Sequence, residues 1–152
     1  MAPFNIHFYS LLKSFYRYQR GARHILLTSR SGEAGVKNNT NIILRRMFEY
    51  LKQLPGLDLR LEAVDATSSD EMGSLLANLD LPLAGCFVLT ANIRDKTFKH
   101  LSQEDFTAGF ASKSGVIGVL RNVVDISSLD FVVAFSSVSG TFGFGGQTNY
   151  GA

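Results

Sequence analysis

Three side chains in the second half of the chain are of types that move protons: the ammonium of Lys113, the hydroxyl of Ser137 and the phenol of Tyr150. Lys113 stands 24 positions before Ser137 (137 − 113), and Ser137 stands 13 before Tyr150 (150 − 137). A free phenol has a pKa near ~10 and gives up its proton reluctantly at neutral pH. An ammonium beside it favours the phenolate and eases the transfer. A serine hydroxyl can donate to an oxygen on which negative charge develops. Singly, each residue has an ordinary structural explanation. A tyrosine near a glycine-rich loop packs, Ser136-Ser137 makes a turn, and a lysine in an apolar stripe snorkels to water.

The elements that must position these groups alternate between short apolar runs and amphipathic stretches, an α/β pattern. Strands are expected near 24–29 (HILLTS), 58–64, 84–90 and 130–136, parallel where they pair, with the first and the fourth buried. Helices are expected near 42–54, where Ile43, Met47, Leu51 and Leu54 recur at helical spacing, and near 69–79, capped by Thr67 or Ser68. Ser102 with Asp105 three residues on starts a single helix over 103–124. Its stripe is Phe106, Phe110, Lys113, Ile117, Leu120 and Val124. Residues 31–41 read as a loop. Phe4, Phe8, Leu11, Leu12 and Phe15 fall on one face of an N-terminal helix.

Composition narrows the function classes. The 152 residues are 45% hydrophobic and 18% charged, enough for one domain with a core. A formal net charge of +2 is too small for a nucleic-acid binder. No apolar run approaches the roughly 20 residues of a spanning helix, and no secretory signal is read, so a cytoplasmic protein without membrane contact is expected. Cys86 is the only cysteine, so no internal disulfide and no zinc cluster is expected. It reads as a buried small hydrophobe.

The segments GARHILLTSRSG, LPLAGCFVLTANIRDKTF and LDFVVAFSSVSGTFGFGGQTNYGA resemble the catalytic half of the ketoreductase domain of modular and fungal polyketide synthases. That domain is a divergent short-chain dehydrogenase/reductase. The resemblance runs from about Arg20 to Ala152, and the family's lysine, serine and tyrosine have the spacing found here. It implies an α/β fold: a partial Rossmann-type parallel sheet with flanking helices, lacking the first strand with its glycine-rich turn and the C-terminal elements. Residues 1–19 would be an atypical helical segment, and 20–152 the partial domain. It also implies NADPH-dependent reduction of a β-ketoacyl thioester, carried by an acyl carrier protein, to a β-hydroxyacyl thioester. Tyr150 would be the general acid, Lys113 its activator and Ser137 the donor to the carbonyl oxygen.

For the cofactor, NAD-preferring folds place an acidic residue where this chain has Ser29-Arg30-Ser31. A guanidinium suits a 2′-phosphate, which favours NADPH. Asp65, followed by Ala66, matches the family aspartate that faces the adenine. Thr90 and Ala91 match the cofactor-side turn after the third strand, although Asn92 stands where relatives often carry glycine. No Gly-x-Gly-x-x-Gly turn is present, and the family asparagine four residues past the tyrosine would fall beyond Ala152. In a Rossmann sheet the first strand is central, so the remaining strands are expected either as two separated pairs or in an abnormal pairing, with exposed apolar edges. The isolated chain is expected not to reduce ketones. The alternative is a non-catalytic remnant or interaction module, whose edges would seek the remainder of a synthase or a second copy.

Overall fold

The computed structural model of the chain describes residues 8–151. Its internal contacts divide it into two units, meeting in sequence at Ala66 and Thr67. None of the helices described is long and apolar enough to cross a membrane.

The first unit contains α1 (Phe8–Gln19), β1 (His24–Ser29), α2 (Gly32–Lys37), α3 (Ile42–Lys52) and β2 (Asp58–Ala63). β1 and β2 pair in parallel, from His24↔Asp58 to Ser29↔Ala63. α3 starts where Asn41 accepts hydrogen bonds from the N–H groups of Ile43 (3.0 Å) and Leu44 (3.2 Å). Its buried residues Leu44, Phe48 and Leu51 step by four and three. They form the core with Leu11, Val36, Leu57, Leu59 and Leu61. On α1, Leu11 is buried and Leu12 is exposed, so the apolar face is narrower than predicted. Phe4 lies outside the described residues.

The predicted loop over 31–41 contains a helix instead. α2 is short, and its own sequence supports it weakly because of Gly32 and Gly35. Burial of Val36 and the ion pair of Lys52 Nζ with Glu33 (2.9 Å) hold it against the rest of the unit. Gly32 has φ +52°, and a Cβ there would lie 3.0 Å from Ala63 Cβ. The turn after β1 therefore needs glycine at this point.

The second unit contains α4 (Ser69–Ala77), β3 (Gly85–Val88), α5 (Gln103–Phe110), α6 (Val116–Val123), β4 (Phe131–Ala134), α7 (Ser139–Phe142) and α8 (Thr148–Gly151). Ser68 caps α4, its Oγ accepting from Glu71 N–H. β3 and β4 pair in parallel from Gly85↔Phe131 to Val88↔Ala134. A Cβ on Gly85 would collide with the Phe131 ring. The strands thus form two two-stranded sheets, β1-β2 and β3-β4, the first of the two arrangements expected of this pattern.

Two expectations need correction. β4 is not a buried strand: Val132, Val133 and Ala134 are exposed, because among the described residues β3 is its only hydrogen-bonded neighbour. The helix over 103–124 is not continuous. A π-helical turn, Ala111–Gly115, separates α5 from α6. Its buried side runs through Asp105, Gly109, Ser112, Val116 and Val119, one residue ahead of the predicted stripe; of that stripe Leu120 is buried as well, and Phe110 is half exposed. The partners of this helix explain the difference, since α5 packs on α8 and α6 on α4. Cys86 is only partly buried, which pushes its thiol pKa up.

Candidate functional site

The site in the second unit is built on the turn that interrupts the long helix. A π turn spaces its hydrogen bonds more widely than an α-helix and recurs at functional positions. Here it carries Ser112 and Lys113. The hydroxyl of Thr90, two residues past β3, donates to the Ser112 carbonyl. Lys113 Nζ donates to the Phe135 carbonyl (2.5 Å), one residue past β4. Both strands thus fasten the turn from their carboxyl ends, where open α/β sheets bind ligands. From there Lys113 Nζ lies 5.6 Å from the centroid of the Tyr150 ring.

Tyr150 belongs to α8, a single short turn that needs outside support. Asn149, next to it, is 2% exposed and donates from Nδ2 to the Asp105 carbonyl (3.3 Å). Lys96 N–H donates to the Gly146 carbonyl (2.9 Å). The Ser139 hydroxyl donates to Gln147 Oε1 (2.7 Å), and Gln147 Nε2 to Asp95 (3.4 Å). Ser137 Oγ accepts from Ser139 N–H (3.2 Å). The structure therefore brings Lys113 and Tyr150 together. Ser137 lies at the same strand end, and among the described residues no hydrogen bond links it to either of them.

Sequence reasoning missed the support around Asp105. It saw this residue only as a helix-start signal, and the capping box is indeed present. The carboxylate, 2% exposed, also meets Lys96 Nζ (2.7 Å) and Arg94 (3.3 Å). Hydrogen bonds, from Lys96 first and then from Ser102, hold the Asp105 carboxyl well below the usual carboxylate range. The available signal was Arg94-Asp95-Lys96, three charges in a row directly after an apolar strand and its turn.

The remaining predicted residues lie in the first unit, at the carboxyl ends of β1 and β2. Ser29 ends β1, and exposed Arg30 follows it. Asp65 and Ala66 follow β2 and are partly buried. The hydroxyl oxygens of Ser29 and Ser31 are buried and, among the described residues, have no hydrogen-bond partner. Two orphaned hydroxyls flanking a guanidinium fit an anionic group such as a phosphate.

The KR domain family model matches residues 13–152. A highly reducing polyketide synthase of Strobilurus tenacellus is 44% identical over 137 residues, which cover 90% of this chain and 5% of that protein. The squalestatin hexaketide synthase of a Phoma species is 33% identical over 132 residues, 87% of this chain and 5% of that protein. The chain thus spans about a twentieth of the length of these curated relatives. Among solved structures, an A-type ketoreductase from a modular polyketide synthase superposes with a TM-score of 0.76 at 28% identity, covering 93% of this chain and 29% of that one. The first ketoreductase of the tylosin synthase gives 0.72 at 27% identity, covering 93% and 30%.

Proposed function

Because this chain belongs to the KR domain family of polyketide synthases, we propose that it carries the proton-transfer machinery of an NADPH-dependent reductase acting on a β-ketoacyl thioester. The approach of Lys113 to Tyr150, 5.6 Å from Nζ to ring centroid, is the observation that carries this reading. Tyr150 donates the proton to the substrate's carbonyl oxygen as that oxygen gains charge. The Lys113 ammonium, oriented by the Phe135 carbonyl, favours negative charge on the phenol oxygen as its proton leaves. Ser137 accepts from Ser139 N–H, which leaves its own proton for the same carbonyl oxygen.

When bound, the nicotinamide supplies hydride at the carbonyl carbon. Ser29, Arg30, Asp65 and Ala66 would hold its adenosine and 2′-phosphate end, and the buried unpartnered hydroxyls support that assignment. Thr90 and Ala91 would line the other end. The 152 residues contain no Gly-x-Gly-x-x-Gly turn, so the backbone donors such a turn offers to a pyrophosphate are not supplied by that motif. The acyl chain is proposed to arrive on an acyl carrier protein, within the multidomain setting of the relatives. Residues 20–152 are proposed as the reductase portion and 1–19 as an appended segment.

The test is NADPH oxidation at 340 nm with a simple cyclic ketone such as trans-1-decalone. It is run on the 152-residue chain and on the longest polypeptide that contains it. Turnover is expected from the longer polypeptide and not from the 152 residues alone. Tyr150→Phe should lower it by about 10²–10⁴-fold, the usual worth of a positioned acid. Undiminished turnover in Tyr150→Phe overturns the reading.

A further inference from the structure

Asp105, Gly109 and Lys113 recur every fourth residue along α5 and its π turn, which places them on one helical face. All three engage the segment that carries Tyr150. The Asp105 carbonyl accepts from Asn149 Nδ2 (3.3 Å). A Cβ built on Gly109 would lie 2.7 Å from the Asn149 carbonyl oxygen, closer than real Cβ contacts come, so only glycine lets α8 sit this near. Lys113 reaches the Tyr150 ring from the same face.

The Asp105 side chain makes more bonds than a helix cap requires. Capping uses Ser102, whose N–H (2.9 Å) and Oγ (2.9 Å) both donate to Oδ2. Lys96 Nζ also donates to Oδ2 (2.7 Å), and Arg94 to Oδ1 (3.3 Å). Those two residues belong to the loop that grips the tyrosine segment, through Lys96 N–H to the Gly146 carbonyl and through Asp95 to Gln147. One buried carboxylate therefore holds the loop by its side chain and α8 by its backbone. Loss of the charge would leave two cations facing a buried neutral group, and the loop would swing out to water.

We propose that Asp105 and Gly109 are positioning residues for Tyr150, fixing α8 on the helical face from which Lys113 reaches the phenol. The proposal rests on Tyr150 as proton donor, but it makes a structural claim that can be read separately.

Gly109→Ala is the decisive variant. Alanine favours a helix over glycine, so a residue that served only α5 would leave the helix firmer and turnover unchanged. A positioning residue would show kcat lower by about 10- to 100-fold, the cost of a displacement near 1 Å, with the KM for NADPH unchanged. Asp105→Asn should act in the same direction, and Asp105→Glu, which keeps the charge, should recover part of the loss. Amide hydrogen exchange supplies a readout independent of turnover. Residues 144–151 should exchange faster in Gly109→Ala and Asp105→Asn, while α4 and α6 stay protected. Unchanged exchange over 144–151 in both variants overturns the proposal, whether or not the protein reduces ketones. If Tyr150→Phe keeps full turnover while exchange over 144–151 rises as expected, the positioning role stands and the reductase reading falls.

Discussion

The two units are held together by different physics. In the first, Leu11, Phe48 and Leu51 are fully buried, and β2 buries Leu59 and Leu61 against the same cluster. In the second, the buried apolar residues are Met72, Val88, Val116, Val119 and Leu120, and β4 is mostly exposed. What the second unit buries instead is polar: Asp105, Ser112, Ser139 and Asn149. Lys113 and Tyr150, the residues proposed for proton transfer, are sequence neighbours of two of these groups, Ser112 and Asn149. Apolar burial is non-directional and tolerates small shifts, whereas hydrogen bonds and ion pairs fix side chains at set distances and angles. The second unit thus has less apolar burial and more directional bonding, the kind of fixed geometry that the proposed proton transfer would need.

The largest expected effect tests the apolar side of this contrast. Phe48→Ala should destabilise the first unit by about 3–5 kcal/mol, the usual cost of removing a fully buried phenylalanine. Urea unfolding followed by far-ultraviolet circular dichroism measures it. A loss below about 1 kcal/mol would mean that the site collapses to fill the cavity and that the core is less well packed than its burial indicates.

Acid should act first on the second unit. Asp105 has a folded-state pKa below its unfolded one, near ~3.9, so its stabilisation is complete above that value and is lost as pH falls through the depressed folded pKa. Glu33 in the first unit is also lowered, chiefly by its hydrogen bond from Lys52, but it is a third exposed, and such pairs contribute only about 0–1 kcal/mol. Amide resonances of residues 93–105 and 144–151 should therefore broaden or shift below about pH 4, while those of α3 hold to lower pH. Simultaneous loss in both units would show that Asp105 does not govern the acid response.

The sequence made the regular parts of both units legible. Apolar and alternating runs marked all four strands, and Ser68 and Ser102 marked helix starts, because those signals are local. What it concealed was tertiary. α2 is fixed by Val36 and Lys52, partners that local pattern does not show. The π turn leaves the three-and-four spacing of the stripe nearly intact, so periodicity could not reveal it. Lys113 and Tyr150 were found through the spacing that the resemblance gave meaning to, and they are close in the structure. Asp105 and Gly109 were not, because a capping residue and a mid-helix glycine carry no mark of the partners they meet across the fold.

The smallest expected effect compares like with like, one helix cap in each unit. Asn41 accepts from two N–H groups, of Ile43 and Leu44, and α3 has no acidic residue in its first turn. Ser68 accepts from one, of Glu71 at 3.3 Å, and α4 carries Asp70 and Glu71 in its first turn, where the helix dipole favours negative charge. Replacing either cap with alanine typically costs about 1 kcal/mol. Asn41→Ala should cost more than Ser68→Ala, because two donors lose their acceptor and no carboxylate compensates. The first-unit variant should thus show the larger drop in urea midpoint. The Ser68→Ala loss should in turn grow at high salt, where screening weakens the contribution of Asp70 and Glu71. Equal losses at all salt concentrations would mean that the packing of each helix, rather than its cap, decides where it begins.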